Sequence, residues 1–148
     1  MPTDSTIRPL VLVADPDVEY AALIARQLEW AGYGVITTGT DAEAREIIEE
    51  KRPDALIVEA KLPTGTGYEL IRELRAQDEY RLLPIVMIST RAGGLDRDFA
   101  FTVGADEYIK KPFPCASVVG RLALLVPAQP AAAPMTRPSR RTRTLVTA

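Results

Sequence analysis

Apolar and polar residues follow one another along the chain in blocks that predict strands and helices in alternation. Short continuous apolar runs, such as residues 10–14, are typical of strands that are buried on both faces. Between these runs, apolar residues recur at helical spacing, and Ala21, Ile24 and Leu28 form one such face. The predicted strands are residues 10–14, 33–37, 54–58, 85–88 and 107–110. A helix is predicted after each strand, the fourth over about residues 95–103 and the fifth over residues 117–126.

Local signals mark the ends of three of these helices. Gly32 suits the position just beyond the first helix, because glycine readily takes the left-handed conformation common there. Asp41 is predicted to cap the second helix, and Pro53 prevents that helix from continuing. Thr66 is predicted to cap the third helix. The end signals therefore agree with the periodicity.

Five strands that alternate with five helices predict an α/β fold with a parallel sheet covered on both faces. A chain of 148 residues has room for one such domain. We expect a flexible N-terminus at residues 1–7, the domain at residues 8–126 and a disordered tail at residues 127–148. The tail is rich in proline, alanine and arginine and has little apolar surface to bury.

Composition narrows the function classes. The chain has no histidine, which excludes Ser-His-Asp catalysis, histidine zinc sites and phosphohistidine transfer. No apolar run approaches the length of a membrane-spanning helix, and Cys115 is a lone cysteine, so we expect a cytoplasmic protein. The net charge is −2, and four arginines without an acid give the tail +4, which leaves −6 for the rest. Such a tail is weak support for nucleic-acid binding, which we consider unlikely.

Polar side chains gather where the predicted strands end. In an open parallel sheet, ligands bind beyond the carboxyl ends of the strands. Carboxylates suit a hard cation such as Mg²⁺, and hydroxyl and ammonium donors suit a phosphoryl group. The residues at these strand ends are Asp15, Asp17, Glu59, Ser89, Thr90 and Lys111.

Four stretches resemble the receiver domain of two-component response regulators. They are "VLVAD", "DALIVEAKLPTGTGYEL", "LPIVMIST" and "GADEYIKKPF", and they occur in the family's order over residues 8–126. The resemblance implies a flavodoxin-like (βα)5 doubly wound sheet with strand order 2-1-3-4-5. It also implies a part in two-component phosphorelay signal transduction.

The resemblance implies two departures at the phosphorylation site. The family's phosphoacceptor aspartate lies four residues before the proline of the turn after strand three, and that position is Glu59 here, counted from Pro63. Receivers carry two adjacent acids after strand one, where Asp15 matches the first and Pro16 stands at the second. Asp17 is the next acid along and belongs to the predicted acidic pocket. The metal ligands would be Asp15 and Glu59, and Mg²⁺ binding is doubtful because Pro16 has no ligand atom.

The remaining signalling positions match the family. Ser89 corresponds to the switch hydroxyl, Tyr108 to the aromatic residue that reports activation, and Lys111 to the family's lysine. The resemblance therefore implies an atypical receiver, or pseudo-receiver. It would be a signalling module rather than an enzyme, and would act by protein–protein interaction independently of phosphorylation.

Other readings stay open. The chain could be a working phosphoacceptor that uses Mg²⁺ despite Pro16, or the receiver part of a transcription regulator without its DNA-binding domain. The resemblance places the partner surface on helix four, strand five and helix five, where a homodimer is an alternative. It leaves a histidine kinase as a doubtful partner. A further alternative is that Asp17 only caps the first helix.

Overall fold

The computed structural model describes residues 8–90 and 94–129. Strands and helices alternate along it, with one short 3-10 helix, Asp78–Tyr80, before the fourth strand. The strands are β1 (Leu10–Ala14), β2 (Gly34–Thr38), β3 (Ala55–Glu59), β4 (Ile85–Ser89) and β5 (Glu107–Lys110). The helices are α1 (Val18–Trp30), α2 (Asp41–Lys51), α3 (Gly67–Arg75), α4 (Gly94–Val103) and α5 (Cys115–Leu125).

All five strands are parallel and lie in the order β2-β1-β3-β4-β5, as predicted. The bounds of β1 and β5 are as predicted, and the other predicted bounds agree with the structure to within two residues. β2 begins after Tyr33 because the Tyr33 backbone N–H still donates to Leu28 O of α1, at 3.0 Å. α5 begins before residue 117 because the carbonyl of Pro114 accepts the first helical hydrogen bond, from Ser117 N at 2.8 Å.

The sheet separates two apolar layers. On one face, buried residues of α2, α3 and α4 pack against β1, β3 and β4, with Leu70 and Ile71 of α3 completely buried. On the other face, Ile24 and Leu28 of α1 and Val118 of α5 pack against the same strands. Because both faces are covered, the three central strands β1, β3 and β4 consist almost entirely of apolar residues. Among the described residues, no helix is long and apolar enough to cross a bilayer.

The helix ends confirm the signals at Gly32 and Thr66 and correct the one at Asp41. Gly32 follows α1 with φ 105°, and Thr66 caps α3 in a capping box with Glu69. The prediction that Asp41 caps α2 is wrong, because Thr40 is the capping residue and accepts from Glu43 N. Asp41 instead lies in the first turn, where its side chain is buried.

The described chain continues past α5 to residue 129. The Tyr33 hydroxyl donates to Val126 O, and a Cβ on Gly32 would lie 1.7 Å from Gln129 O. Gly32 is therefore required both for its backbone conformation and for this close approach. The predicted flexible N-terminus at residues 1–7 and the tail beyond residue 129 lie outside the described residues.

Candidate functional site

The carboxyl ends of β1, β3 and β5 bring two acids and a lysine together. Asp15 follows β1, Glu59 ends β3, and Lys111 follows β5. The Lys111 ammonium lies 2.7 Å from Asp15 Oδ2 and 2.8 Å from Glu59 Oε1. All three side chains are buried, with Asp15 1% exposed and Lys111 9% exposed. The three form one buried ion-paired cluster with a formal charge of about −1 when each group is ionised.

All four carboxylate oxygens of the cluster accept hydrogen bonds from protein donors. Lys111 Nζ donates to Asp15 Oδ2 and to Glu59 Oε1. The other Asp15 oxygen, Oδ1, accepts from Asp17 N at 2.9 Å, and Glu59 Oε2 accepts from Lys61 N at 3.2 Å. Buried charges are tolerated when they are paired and hydrogen-bonded in this way.

The Lys111 ammonium stays charged in this setting. Burial lowers the pKa of Lys111, but the hydrogen bonds and charges of Asp15 and Glu59 outweigh burial, and the pKa is raised overall. The face of the Tyr20 ring also lies against the ammonium, with Nζ 4.5 Å from the ring centroid. A cation between two carboxylates and an aromatic face is electrostatically satisfied.

The carboxylates that could ligate a magnesium ion are engaged within the protein. Mg²⁺ binds through carboxylate oxygens, and all those of Asp15 and Glu59 already accept hydrogen bonds. The residue next to Asp15 is Pro16, which offers no side-chain oxygen. No group of three or more acid, cysteine or histidine side chains suited to a metal occurs within residues 8–90 and 94–129.

Asp17 does not join the cluster through its side chain. Its exposed carboxylate accepts from Tyr20 N at 3.1 Å and caps α1. Its backbone N–H is the part that reaches Asp15. Asp17 therefore caps α1. Its carboxylate accepts from a free backbone N–H there and interacts favourably with the positive end of the helix dipole.

Ser89 and Tyr108, the two predicted switch residues, lie on β4 and β5. Ser89 is completely buried at the end of β4, and its carbonyl accepts from Lys111 N at 2.6 Å. Tyr108 pairs with Met87 in the sheet and is buried on the α4 side, with Ala100 and Val103 in the same apolar layer. The pairing of β4 with β5 thus brings Ser89 close to Lys111, and Tyr108 lies in the core.

The loop from Glu59 to α3 is fixed at several points. Thr64 donates its hydroxyl to buried Asp41 at 2.6 Å, and this hydrogen bond keeps the pKa of Asp41 below its usual value, assisted by backbone N–H donors and Arg45. Gly67 N donates to Ala60 O at 2.8 Å. A Cβ on Gly67 would lie 2.5 Å from Glu59 O, so glycine allows the loop to close onto the end of β3.

Sequence reasoning missed Tyr20 and Phe113. Tyr20 lies in the first turn of α1, and Phe113 follows β5 in the "KKPF" stretch. Their rings meet edge to face, with centroids 5.5 Å apart. Both rings pack against the apolar layer on the α1 and α5 side of the sheet, and nothing in the local sequence indicates the contact between Tyr20 and Lys111.

Comparison with known proteins gives the chain its family. The sequence profile described as "Response regulator receiver domain" matches residues 11–123. The chain belongs to this family. The match covers all five strands of the receiver, and members of the family are signalling domains of two-component systems.

Similar sequences and structures support the assignment. The transcriptional regulatory protein PrrA of Mycobacterium tuberculosis is 36% identical over 118 residues, which are 80% of this chain and 50% of PrrA. The phosphate regulon regulatory protein PhoB of Rhizobium meliloti is 35% identical over 125 residues, 82% of this chain and 54% of PhoB. This receiver chain therefore spans about half the length of these relatives. The chemotaxis response regulator CheY4 of Vibrio cholerae superposes with a TM-score of 0.76 at 27% identity, covering 81% of this chain and 100% of CheY4.

Proposed function

We propose that this receiver is an atypical one, in which Glu59 stands at the phosphoacceptor position and signalling proceeds by protein–protein contact without phosphorylation. The observation that carries the proposal is the Lys111 ammonium shared between Asp15 and Glu59 at 2.7 and 2.8 Å. Every carboxylate oxygen of the cluster accepts a hydrogen bond from the protein, and attack by either acid on a phosphoryl donor would break such a contact.

Glutamate at position 59 is poorly suited to accept a phosphoryl group. It is longer than aspartate by one methylene, or about 1.5 Å. Phosphoryl transfer depends on in-line placement of donor and acceptor, and a displacement of about 1 Å costs roughly 100-fold in rate. Pro16 removes a second acid at the same site. Both changes act in the same direction.

Glu59 also supplies part of what a phosphate would supply. A phosphoryl group carries a charge of about −2, and a glutamate carries about −1. Glu59 already holds Lys111, which is buried beside the end of β4 where Ser89 lies. We propose that this pair keeps the receiver in one signalling state, with no input from a histidine kinase.

The proposed partner surface is the face formed by α4, β5 and α5. Both helices carry an exposed apolar side chain, since Phe101 of α4 is 40% exposed and Leu124 of α5 is 84% exposed. Arg121 pairs with Glu107 at 2.8 Å between α5 and β5 and provides a polar border. A protein partner with an apolar centre would fit, and self-association through the same face is the alternative occupant.

The test is an amide NMR titration of the chain with Mg²⁺ and then beryllofluoride, a phosphoryl mimic. We expect no shift at Asp15, Ser89 or Lys111 in the wild-type chain. The control is the double variant Pro16→Asp with Glu59→Asp, which restores both acids and should respond. Saturable shifts in the wild-type chain that extend to Tyr108 would overturn the proposal in favour of a Mg²⁺-dependent phosphoacceptor.

A further inference from the structure

Tyr20 covers the buried ammonium at the centre of the site. The ring face lies over Lys111 Nζ at 4.5 Å from the centroid, and Tyr20 is itself half-buried. An ammonium group has three protons, and two directions are taken by Asp15 Oδ2 and Glu59 Oε1. The aromatic face gives the remaining charge an electron-rich surface instead of water.

The Tyr20 ring is held in this position by neighbouring groups. Phe113 meets it edge to face, with an interplanar angle of 80°. Tyr20 N donates to Asp17 in the cap of α1, which fixes the first helical turn that carries the ring. Burial raises the pKa of the Tyr20 hydroxyl, so the ring stays neutral. The cover is therefore built from α1 and from the segment after β5 together.

We propose that Tyr20 is a positioning residue that holds Lys111 between Asp15 and Glu59 and keeps water away from the ammonium. This inference deepens the proposed function, because it concerns the same ion-paired cluster. Without the ring, the flexible lysine stem can carry the ammonium outward toward solvent. With the ring, departure from the two carboxylates also breaks the cation–π contact.

The experiment measures Lys111 directly by NMR of the lysine side chains. The chain has four lysines, so the Lys111 signals can be assigned by substitution. In the wild-type chain we expect slow exchange of the Lys111 ammonium protons with water, ring-current-shifted ε-methylene protons, and cross-peaks from these to the Tyr20 ring.

Tyr20→Leu removes the ring, and we expect ammonium exchange to accelerate by about 5- to 30-fold, as loss of one to two kcal/mol implies. Tyr20→Phe keeps the ring and should retain the wild-type exchange and shifts. Leu23→Ala, one turn along α1 at a half-exposed position, is the control for general loosening of the helix.

Equal exchange in wild type and Tyr20→Leu would overturn the proposal, as would acceleration in Tyr20→Phe equal to that in Tyr20→Leu. If Tyr20→Leu does not fold, the wild-type cross-peaks between Lys111 and the Tyr20 ring decide, and their absence refutes the contact. No partner, metal or phosphoryl mimic enters these measurements, so they can fail while the proposed function stands, and the reverse also holds.

Discussion

Replacing Lys111 by methionine is the sharpest test of the cluster's energetics. Methionine keeps an unbranched apolar stem of similar length but removes the charge. Asp15 and Glu59 are 1% and 6% exposed, so neither carboxylate can turn to water for compensation. Removing one partner of a buried ion pair costs about 3–5 kcal/mol, and here two carboxylates lose the same donor. We expect Lys111→Met to lower the free energy of unfolding by about that amount at pH 7.

Urea denaturation followed by circular dichroism measures this loss. Lys110→Met is the matched control, because Lys110 is exposed beside Lys111 and should change stability by less than about 0.5 kcal/mol. The double variant Lys111→Met with Glu59→Gln carries one carboxylate fewer, so it should recover about 1–3 kcal/mol of the loss.

The reasoning would be refuted in either of two ways. A loss below about 1 kcal/mol for Lys111→Met would mean that the buried pair contributes little net stability. Equal losses for Lys110→Met and Lys111→Met would mean that the effect does not come from the cluster. Recovery in the double variant is the signature that distinguishes lost pairing from lost packing, because Glu59→Gln restores no packing.

Two further predictions concern groups with shifted pKa values. Asp41→Asn should cost about 1–3 kcal/mol at pH 7, since the Thr64 hydroxyl then loses its charged acceptor. The pKa of Asp41 is lowered on folding, so its contribution is present above its ordinary value near 3.8 and is lost as pH falls; acid denaturation curves should converge for the two proteins. Tyr33→Phe should cost about 1 kcal/mol by removing the hydrogen bond to Val126 O. Burial raises the pKa of Tyr33, so wild-type stability falls above about pH 10 and the gap to Tyr33→Phe should narrow in thermal melts there.

Much of the fold could be predicted because a parallel sheet leaves a strong mark on sequence. Strands covered on both faces must be apolar throughout, and β1 and β4 each have a continuous run that ends at a polar residue. The same rule locates the cluster, because the carboxyl ends of parallel strands meet at one edge. Asp15, Glu59 and Lys111 were found from their positions after three separate runs.

The missed features depend on choices that local sequence leaves open. Thr40 and Asp41 are both good capping residues, so local sequence does not show which of them caps α2. In the folded chain the Asp41 carboxylate accepts from the Thr64 hydroxyl, and Thr40 caps the helix. Local sequence likewise leaves open whether the Asp17 side chain joins the acidic pocket or caps α1, and in the structure it caps α1. Tyr20 meets Lys111 from the opposite end of the chain, so the contact exists only once the sheet is assembled.

The electrostatics of the cluster link these features to the proposed function. The cluster of Asp15, Glu59 and Lys111 has a net charge of about −1. It therefore repels a phosphoryl group with a charge of about −2 unless a cation accompanies that group. Pro16 removes the acid that would help to hold such a cation, and Lys111 is already committed to Asp15 and Glu59. If Lys111 moved to pair with a phosphate, Asp15 and Glu59 would be left without their cation in a buried site. The contact between Lys111 and the Tyr20 ring would also be lost. On the proposed function, this sequence therefore favours the paired state, and we expect a signal to act on the receiver at its surface rather than at its strand ends.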